Sequence, residues 1–399
     1  MIPFEQALET VLKAAPFQTP LPDDVCEVVP LVEGSGRILQ QTVAADRDMP
    51  PFDKSAVDGY ACKRADLEQG IPMRLLEVIP AGTAPRYSVT QGCCSKVMTG
   101  AMVPQGTECV AMVEEAWEEG NTVCCAVRQG GKTNICLKGE DLSVGAPILH
   151  PGCVIQPQHI AMLSAVGCTE IRVAQKVEVG ILSTGDELTE PWESPSNVQI
   201  RNSNAFQLMA QALRMGAKAT YYGIAKDHVD SFTPLLAAAL KERKVVIVSG
   251  GVSMGDFDIV PQVAQRLGLH ILFDRVAVQP GKPTTFGVGT DSFFFGLPGN
   301  PVSSFVQFEL MVKPFLMRMM GAKYAPLSLR LPLAHPFKRK QADRMAHLPM
   351  EIDESGRCRL LHYHGSGHIG ALSRAQGVAR INLGVSELSE NEIIESILC

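Results

Sequence analysis

The sequence predicts a multidomain α/β and β protein with a doubly wound α/β domain at its centre. From residue 177 to 267, apolar runs alternate with helix-like stretches, which is typical of a parallel sheet covered by helices. Between residues 50 and 144, short apolar runs are separated by Gly, Pro and Asn turns, which indicates a small β domain. The last 75 residues return to this short-strand pattern and predict a second, terminal β domain.

Composition narrows the class of protein. A length of 399 residues is enough for about two to four domains. The net charge of −6 argues against nucleic acid as a partner, because phosphate backbones require a basic face. The first residues lack a signal-peptide pattern, and no apolar run approaches the ~20 residues of a membrane span, so we expect a cytoplasmic protein without a membrane partner. In a cytoplasmic protein the 12 cysteines are expected to be reduced thiols rather than disulfides. Metal binding by Cys93-Cys94 and Cys124-Cys125 is not indicated, because these adjacent pairs lack the usual zinc spacing.

The first part of the chain predicts a split domain around a β insertion. Residues 4 to 15 have helical spacing, a second segment follows at 29 to 42, and helical spacing returns at 152 to 163. If this later helix packs on the first one, the β region between them is an insertion. We therefore predict a split N-terminal linker domain at 1–42 plus 145–175 and an inserted β domain at 43–144.

The elements of the central domain follow in regular alternation. We predict an α/β domain at 176–324 and a C-terminal β domain at 325–399. The predicted strands are 177–182, 219–224 and 245–248, and the predicted helices are 203–215, 231–241, 259–267 and 303–319. The ends of the three strands carry Ser183 to Glu187, Ala225 to Asp227 and Ser249 to Asp258. Ligands of doubly wound sheets bind at the carboxyl ends of the strands, so these polar segments predict the site.

Three glycine-rich turns add to this prediction. They are Ser249 to Asp258, Pro280 to Pro283 and Gly296 to Ser304. Two of them directly follow an apolar run, an arrangement that points backbone N–H groups at an anion. The first turn lacks the Gly-Lys-Ser/Thr ending of a P-loop, so an oxyanion or nucleotide site of another kind is the leading hypothesis.

The side chains near these turns suit a hard cation and an anion. The acidic residues beside glycine or at strand ends are Asp58, Asp141, Asp186, Glu187, Asp227, Asp256 and Asp258. Converging carboxylates bind Mg²⁺ together with substrate phosphates, although Asp beside Gly is also ordinary turn chemistry. Lys282, between Gly281 and Pro283, suits an oxyanion, or else is a solvated loop lysine. His362, His364 and His368 indicate a polar turn more than a metal site.

The motifs in order resemble the molybdopterin molybdenumtransferase family, the MoeA family, which includes the gephyrin E domain. The resemblance rests on seven segments in order. They are Phe52 to Ala61, Met98 to Ala101 with Val103-Pro104, Gly139 to Leu142, Ser183 to Leu188, Ser249 to Asp258, Pro280 to Pro283 and Gly296 to Ser304.

This resemblance implies a fold, a reaction and a site. It implies a molybdopterin-binding, MogA-like central domain, a C-terminal β-barrel-like domain, and an elongated homodimer in which the β insertion of one subunit faces the α/β domain of the other. Such enzymes insert molybdate into adenylylated molybdopterin and release AMP with Mg²⁺, and other molybdenum-cofactor biosynthesis proteins are potential partners. The implied catalytic residues are Asp58, Thr99, Asp141, Glu187, Asp227, Asp258 and Lys282, of which Asp141, Glu187 and Asp258 would bind the metal. The implied substrate-binding residues are Ser249, Gly250, Gly251, Ser253, Gly255, Pro298, Gly299, Asn300, Pro301, Ser303, Arg344 and Ser366.

One residue departs from the family pattern. Gln279 stands where family members often have a lysine before Pro280. Loss of a cation weakens an oxyanion site by about 1–3 kcal/mol. Gln279 keeps open the alternative of a catalytically weakened paralogue that acts as a binding or scaffold protein. A second alternative is an enzyme resembling molybdopterin adenylyltransferase, which shares the Ser-Gly-Gly turn.

Overall fold

The computed structural model describes residues 1–127, 129–252, 259–323, 325–361 and 368–399. The chain divides into two compact units. One comprises Met1–Gln41, Pro151–Ile160 and Glu170–Cys399, and the other comprises Thr42–His150 and Ala161–Thr169. The finer, four-part division that the sequence suggests stays a prediction.

The N-terminal segment begins with helix α1, Phe4–Ala14, as its spacing predicts. Its apolar side chains Phe4, Ala7 and Val11 are buried, which leaves the opposite face polar. Strand β1, Cys26–Pro30, follows and is flanked by the 3₁₀ turns Asp23–Val25 and Leu31–Gly34. α1 therefore enters the core of the larger unit from its first turn.

The smaller unit is built on short strands around helix α2, Arg64–Gln69. The strands are β2 Val43–Ala44, β3 Lys54–Ser55, β4 Gly59–Cys62, β5 Met73–Ile79, β6 Cys93–Val97, β7 Cys109–Met112, β8 Ala116–Glu119, β9 Thr122–Cys125, β10 Ile135–Cys136 and β11 Pro147–Leu149. Six of them form one sheet in the order β7-β4-β6-β5-β9-β8. In addition, β3 pairs with β10 and β2 pairs with β11. This is the small β region that the turn spacing predicts.

The segments before and after the smaller unit's β region pair with each other through one strand from each. Helix α3, Pro157–Ala165, begins five residues later than the helical spacing suggests, with Pro157 at its first position. Strand β12, Glu170–Ala174, follows and pairs antiparallel with β1, from Cys26 opposite Ala174 to Pro30 opposite Glu170. The segments before and after the insertion are thus joined by an antiparallel strand pair.

The central domain alternates strands with helices. Its strands are β13 Glu178–Thr184, β14 Leu188–Thr189, β15 Ile200–Arg201, β16 Lys218–Ala225, β17 Val245–Ser249, β18 His270–Phe273, β19 Val278–Gln279, β20 Thr285–Val288 and β21 Phe293–Leu297. Its helices are α4 Asn204–Arg214, α5 Val229–Glu242, α6 Val260–Arg266, α7 Pro301–Gln307 and α8 Lys313–Met319. A π-helical turn, Phe308–Val312, joins α7 to α8, in a region where Pro314 has no N–H to donate to the turn before it.

The main sheet of this domain is parallel over four strands and antiparallel beyond them. The order is β16-β13-β17-β21-β20-β18, and β16, β13, β17 and β21 are parallel. β20 runs antiparallel to both neighbours. The three strands that the sequence predicted are therefore parallel, as expected. The antiparallel edge of β20 and β18 was not predicted; the short Gly289–Ser292 loop between β20 and β21 can close a hairpin but not a crossover.

Both faces of the main sheet are covered. Val245 and Ile247 of β17 point into a core with α4, α7 and α8, whereas Val246 and Val248 point into a second core with α5 and α6. This alternation along one buried strand is what a doubly wound domain requires.

The C-terminal residues form a second sheet that recruits a strand from the central domain. Its elements are β22 Ser328–Pro332, β23 Phe337–Lys338, β24 Met345–Ile352, β25 Cys358–Leu360, the 3₁₀ segment Ile369–Arg374, β26 Gly377–Ile381, β27 Glu387–Leu388 and β28 Ile393–Leu398. The sheet order is β19-β24-β26-β28-β22, with β25 also paired to β24. β19 lies parallel to β24, with Gln279 opposite Ala346. This pairing brings the turn after Gln279 next to the C-terminal sheet.

The described residues contain neither a disulfide bond nor a membrane-spanning helix. All twelve cysteines lie among them, and none forms a disulfide. No helix of the described ranges is long and apolar enough to cross a membrane.

Candidate active site

The first cavity, here called the strand-end cavity, lies at the carboxyl ends of β13, β16 and β17 and has a volume of about 600 Å³. Thr184, Glu187, Asp227 and the Ser249 to Val252 turn all line it. Parallel strands end at one edge of a sheet, so the polar strand ends that the sequence singled out meet here. The predicted residues Ser249, Gly250, Gly251, Glu187 and Asp227 are thereby brought together.

The carboxylates of this cavity are positioned by the strand ends. Thr184, the last residue of β13, donates its hydroxyl to Asp227 Oδ1 at 2.5 Å. The backbone N–H of Asp227 points at Asp186 Oδ1, at 3.4 Å. Glu187 is exposed at the cavity and its carboxylate lies over Gly185, where a Cβ would come within 2.6 Å of Glu187 Oε2. The cavity thus presents two carboxylates beside backbone amides.

The glycine turn after β17 requires glycine at residue 250. Gly250 has φ +98°, and a Cβ there would lie 2.3 Å from the Thr184 carbonyl oxygen. Its N–H donates to the carbonyl of Leu297 at 3.1 Å. The turn therefore packs its backbone directly against the end of β13, which a side chain would prevent.

Asn204 is a site residue that the motif analysis missed. It is the first residue of α4, it is buried, and it lines the strand-end cavity. Its Nδ2 donates to Ser249 Oγ at 2.8 Å and to the Gly299 carbonyl at 2.7 Å. The sequence signal for it is the run Asn202-Ser203-Asn204 between a strand and a helix, but such a run is also typical of an ordinary helix N-cap.

The second cavity, here called the basic cavity, has a volume of about 730 Å³. Its charged and titratable lining residues in the described part of the chain are Lys282, His335, Lys338, Arg339 and Arg344, and none of the described lining residues is Asp or Glu. A concave wall with one sign of charge attracts ions of the opposite sign. The cavity is therefore suited to an anion, and the sequence analysis found only Lys282 and Arg344 of this set.

Lys282 is available to a ligand in this cavity. It is exposed and makes no ion pair with any described residue. Its carbonyl accepts from the N–H groups of Val276 at 2.9 Å and Thr284 at 3.0 Å, which fixes its backbone. Ser303, 3% exposed, lines the same cavity from α7. Together they place an ammonium and a hydroxyl on one wall.

Arg344 enters the basic cavity from the C-terminal sheet and is held by its neighbour Arg339. The Arg339 guanidinium donates to the carbonyls of Arg344 at 2.9 Å, Val385 at 2.7 Å and Asn382 at 2.8 Å. Burial lowers the pKa of Arg339 from its ordinary value. Arg344 Nε lies 3.8 Å from the exposed Asp343 carboxylate, so its guanidinium is not saturated by this long contact.

The two cavities share part of their walls. Pro283, Pro298 and Asn300 line both. Gly299 and Pro301 line only the strand-end cavity, and Ser303 lines only the basic one, so the third glycine turn divides them. Gln279 also lines the basic cavity, at the position where the family pattern suggests a lysine.

Asp58 and Thr99 form a pair within the smaller unit. The backbone N–H and the hydroxyl of Thr99 both donate to Asp58 Oδ1, at 2.6 and 2.7 Å. The backbone hydrogen bond first, and then the hydroxyl, lower the pKa of Asp58. The carboxylate is therefore ionised and fixed in orientation at neutral pH.

Asp141 lies in the same unit beside a different group of residues. It lines a cavity of about 400 Å³ with Arg47, Lys54, Cys136 and Glu140. Its N–H donates to the Met49 carbonyl at 3.0 Å. Asp58 and Thr99 are not among the residues that line this cavity.

Part of the predicted set falls outside the described residues. This applies to Ser253, Gly255, Asp256, Asp258, His362, His364 and Ser366. Among the residues that the structure does describe, no three His, Cys, Asp or Glu side chains are grouped so as to hold a metal. Two carboxylates, Glu187 and Asp227, nevertheless share the strand-end cavity.

Comparison with known proteins defines the class first. Residues 2–167 match the family described as "MoeA N-terminal region (domain I and II)". Residues 180–318, which form the doubly wound part, match "Probable molybdopterin binding domain". The chain is thus a multidomain protein whose α/β domain matches the molybdopterin-binding type.

Full-length relatives settle the family. The chain is 32% identical to the molybdopterin molybdenumtransferase of Staphylococcus epidermidis strain RP62A, over 92% of this chain and 90% of the relative. It is 33% identical to the enzyme of that name from Staphylococcus aureus strain Mu50, over 80% and 76% of the two chains. The crystal structure of the molybdopterin biosynthesis MoeA protein from Pyrococcus horikoshii OT3 matches with a TM-score of 0.85 and 29% identity, over 100% of both chains. The chain belongs to the molybdopterin molybdenumtransferase family, a family of transferases of molybdenum cofactor biosynthesis.

These matches confirm the resemblance to the MoeA family and the predicted multidomain α/β and β fold class with a MogA-like central domain.

Proposed function

We propose that this chain inserts molybdenum from molybdate into adenylylated molybdopterin, with release of AMP and with Mg²⁺ as cofactor. One observation carries the proposal: a cavity with carboxylates and a cavity with cations share the wall of Pro283, Pro298 and Asn300. A ligand with a phosphoanhydride at one end and a metal-accepting dithiolene at the other needs two such environments side by side.

The strand-end cavity is the proposed site of the phosphoanhydride. The backbone N–H of Gly251 would donate to a phosphate, as glycine turns after strands do, whereas the N–H of Gly250 is already bonded to the Leu297 carbonyl. The donor set fits Mg²⁺, because Glu187 and Asp227 offer only oxygen and Mg²⁺ commonly uses one or two carboxylates plus substrate phosphates. When bound there, Mg²⁺ would neutralise charge on the phosphoanhydride oxygens.

The basic cavity is the proposed site of molybdate. Lys282 and Arg344 would bind the dianion by charge-assisted hydrogen bonds, and Ser303 would donate its hydroxyl. These groups hold the oxyanion where the shared wall brings it next to the other ligand, so their contribution is positioning and charge stabilisation.

We also propose that the enzyme is a homodimer in which Asp58, Thr99 and Asp141 complete the site of the partner subunit. Family membership supports this arrangement, as does the ionised, hydrogen-bonded state of Asp58. Mixing refolded Asp58→Ala subunits with Lys282→Ala subunits would restore part of the activity if each site uses both chains. Activity that stays at the level of the separate variants would contradict a shared site. The cytoplasmic location and other biosynthetic partners stay predictions.

Release of AMP tests the proposed reaction. Purified protein is incubated with adenylylated molybdopterin and Mg²⁺, with and without molybdate, and AMP is quantified by chromatography. We expect molybdate-dependent AMP release that stops on addition of EDTA and resumes with excess Mg²⁺. Absence of AMP with any oxyanion would exclude the reaction, and AMP-containing product formed from free molybdopterin and ATP would indicate an adenylyltransferase instead.

A further inference from the structure

We infer that two buried amides, Asn204 and Gln307, hold the three glycine turns in place and that each controls a different ligand. Asn204 would govern binding of the nucleotide end of the substrate, and Gln307 would govern binding of the oxyanion. The inference rests on the proposed function, because it assigns the two cavities to the two substrates.

Asn204 ties the first glycine turn to the third. Its Nδ2 has two hydrogens, and both are used: one on Ser249 Oγ at 2.8 Å and one on the Gly299 carbonyl at 2.7 Å. Ser249 ends β17 and Gly299 precedes α7, so one side chain sets the separation of two turns that line the strand-end cavity. The residue is only 7% exposed, which limits competition from water for these hydrogen bonds.

Gln307 ties the second turn to the helix that follows the third. It is the last residue of α7 and is fully buried, and its Nε2 donates to the Pro280 carbonyl at 2.9 Å. Gly281 lies directly on this amide with φ +109°, and a Cβ there would come within 2.4 Å of Gln307 Nε2. The amide therefore supports the turn that carries Lys282 into the basic cavity.

Each amide leaves its oxygen without a partner. Asn204 Oδ1 and Gln307 Oε1 are buried and accept no hydrogen bond from any described residue. A buried acceptor without a donor costs free energy, so a side chain selected for stability alone would be replaced or satisfied. The donors, by contrast, all go to turn residues, which points to positioning of the turns as the role of both side chains.

Separate substitutions of Asn204 and Gln307 test whether each side chain affects the binding of a different ligand. We expect Asn204→Ala to raise KM for adenylylated molybdopterin about tenfold, as loss of two hydrogen bonds to the turns suggests, with the molybdate dependence within about twofold of wild type. Gln307→Met keeps the size of the side chain, and we expect it to raise KM for molybdate about tenfold and to spare the nucleotide. In both variants kcat at saturation should change less than KM, since the bound ligand itself orders the turn.

Gln211→Met is the matched control. Gln211 is a buried amide on α4, like Asn204, but its Nε2 donates to Glu309 Oε1 at 2.8 Å and to the Phe305 carbonyl at 3.4 Å, which lies after the last residue of the third turn. We expect both KM values to stay near those of wild type in this variant. Circular dichroism melts verify that each variant is folded, and Asn204→Ser replaces Asn204→Ala if the alanine variant is insoluble.

Equilibrium binding separates failure of this inference from failure of the proposed function. Titration calorimetry with AMP and with molybdate is carried out on the same proteins. If wild type releases no AMP, the proposed reaction fails, but opposite selective losses of AMP and molybdate affinity would still support the role of the amides. Equal losses of both ligands in each variant, or no loss in either, would overturn the inference.

Discussion

At the scale of single residues, charge decides what the basic cavity can bind. Lys282 and Lys338 both line it, yet they differ in their surroundings. Lys338 forms an ion pair with Glu387 on the neighbouring strand, whereas Lys282 has no such partner among the described residues. A cation without a counter-ion is the one whose charge a bound anion neutralises.

Lys282→Met should therefore weaken molybdate binding selectively. Loss of a charge-assisted hydrogen bond of about 1.5–3 kcal/mol predicts an increase in KM for molybdate of about tenfold to a hundredfold. The dependence of AMP release on molybdate concentration measures it. Lys338→Met is the control, because its charge is already paired, and an equally large effect there would mean that the cavity acts only through its overall charge.

Gln279 is the residue where this chain can be brought nearer to the family pattern. It lines the basic cavity opposite Ala346 of β24, so a longer cationic side chain there would reach the cavity. We expect Gln279→Lys to lower KM for molybdate, and Gln279→Met, similar in size but uncharged, to leave it unchanged or higher. An unaltered molybdate dependence in the lysine variant would place residue 279 outside the anion's reach.

At the scale of elements, the turn after β17 depends on close backbone packing as well as on the hydrogen bond from Asn204. In a Gly250→Ala variant the new Cβ would meet the Thr184 carbonyl at 2.3 Å, so either the turn or the end of β13 must move. Since Thr184 also holds Asp227, we expect AMP affinity to fall at least tenfold, a loss of about 1.4 kcal/mol. Calorimetric titration with AMP measures this.

Gly268→Ala separates this clash from simple backbone strain. Gly268 also has positive φ, +88°, but has open space where a Cβ would stand. We expect a modest loss of stability and unchanged AMP affinity. Equal AMP affinities in the two variants would contradict the packing explanation.

Strand β24 carries a histidine that couples stability to pH. His347 is 1% exposed, its ring lies 4.9 Å from that of Phe4 on α1, and burial followed by the nearby Arg380 lowers its pKa from 6.5 to about 3. The folded protein keeps the ring neutral, whereas the unfolded chain binds a proton below about pH 6.5. Stability is therefore lost as pH falls from about 6.5 towards 3, by about 2 kcal/mol at pH 5.

His347→Phe should remove this dependence, because phenylalanine keeps the ring contact but cannot be protonated. We expect the difference in hydrogen-exchange stability of β24 amides between pH 7 and pH 5 to shrink by about 2 kcal/mol. His270→Phe, at an exposed histidine, should behave like wild type. An undiminished pH difference in His347→Phe would assign the effect to other groups.

Helices whose apolar residues repeat at regular spacing were predictable from the sequence. Strands that form only by pairing with a distant strand were not. Helix α4 was expected at 203–215 and is found at Asn204–Arg214, because its apolar side chains repeat at helical spacing. β19 is two residues long and exists only by pairing with β24, where Val278 lies opposite Met345, so no local pattern reveals it. The antiparallel direction of β20 likewise follows from a short loop rather than from its residues.

At the scale of the whole molecule, the sequence predicted where the site lies but not that it consists of two cavities. The glycine turns and acidic strand ends predicted a ligand edge, and Glu187, Asp227 and Ser249 do line one cavity there. The basic cavity depends on β19 joining the C-terminal sheet, which places Arg344 near Lys282. Asn204 and Gln307 escaped notice because their partners lie in distant parts of the chain.

Anomalous diffraction from crystals grown with AMP, Mg²⁺ and molybdate tests most directly whether the two cavities divide the substrates. We predict a molybdenum peak in the basic cavity, within hydrogen-bonding reach of Lys282 and Ser303, and the AMP phosphate at the Gly250 turn of the strand-end cavity. A molybdenum peak in the strand-end cavity, or AMP bound in the basic one, would contradict this division.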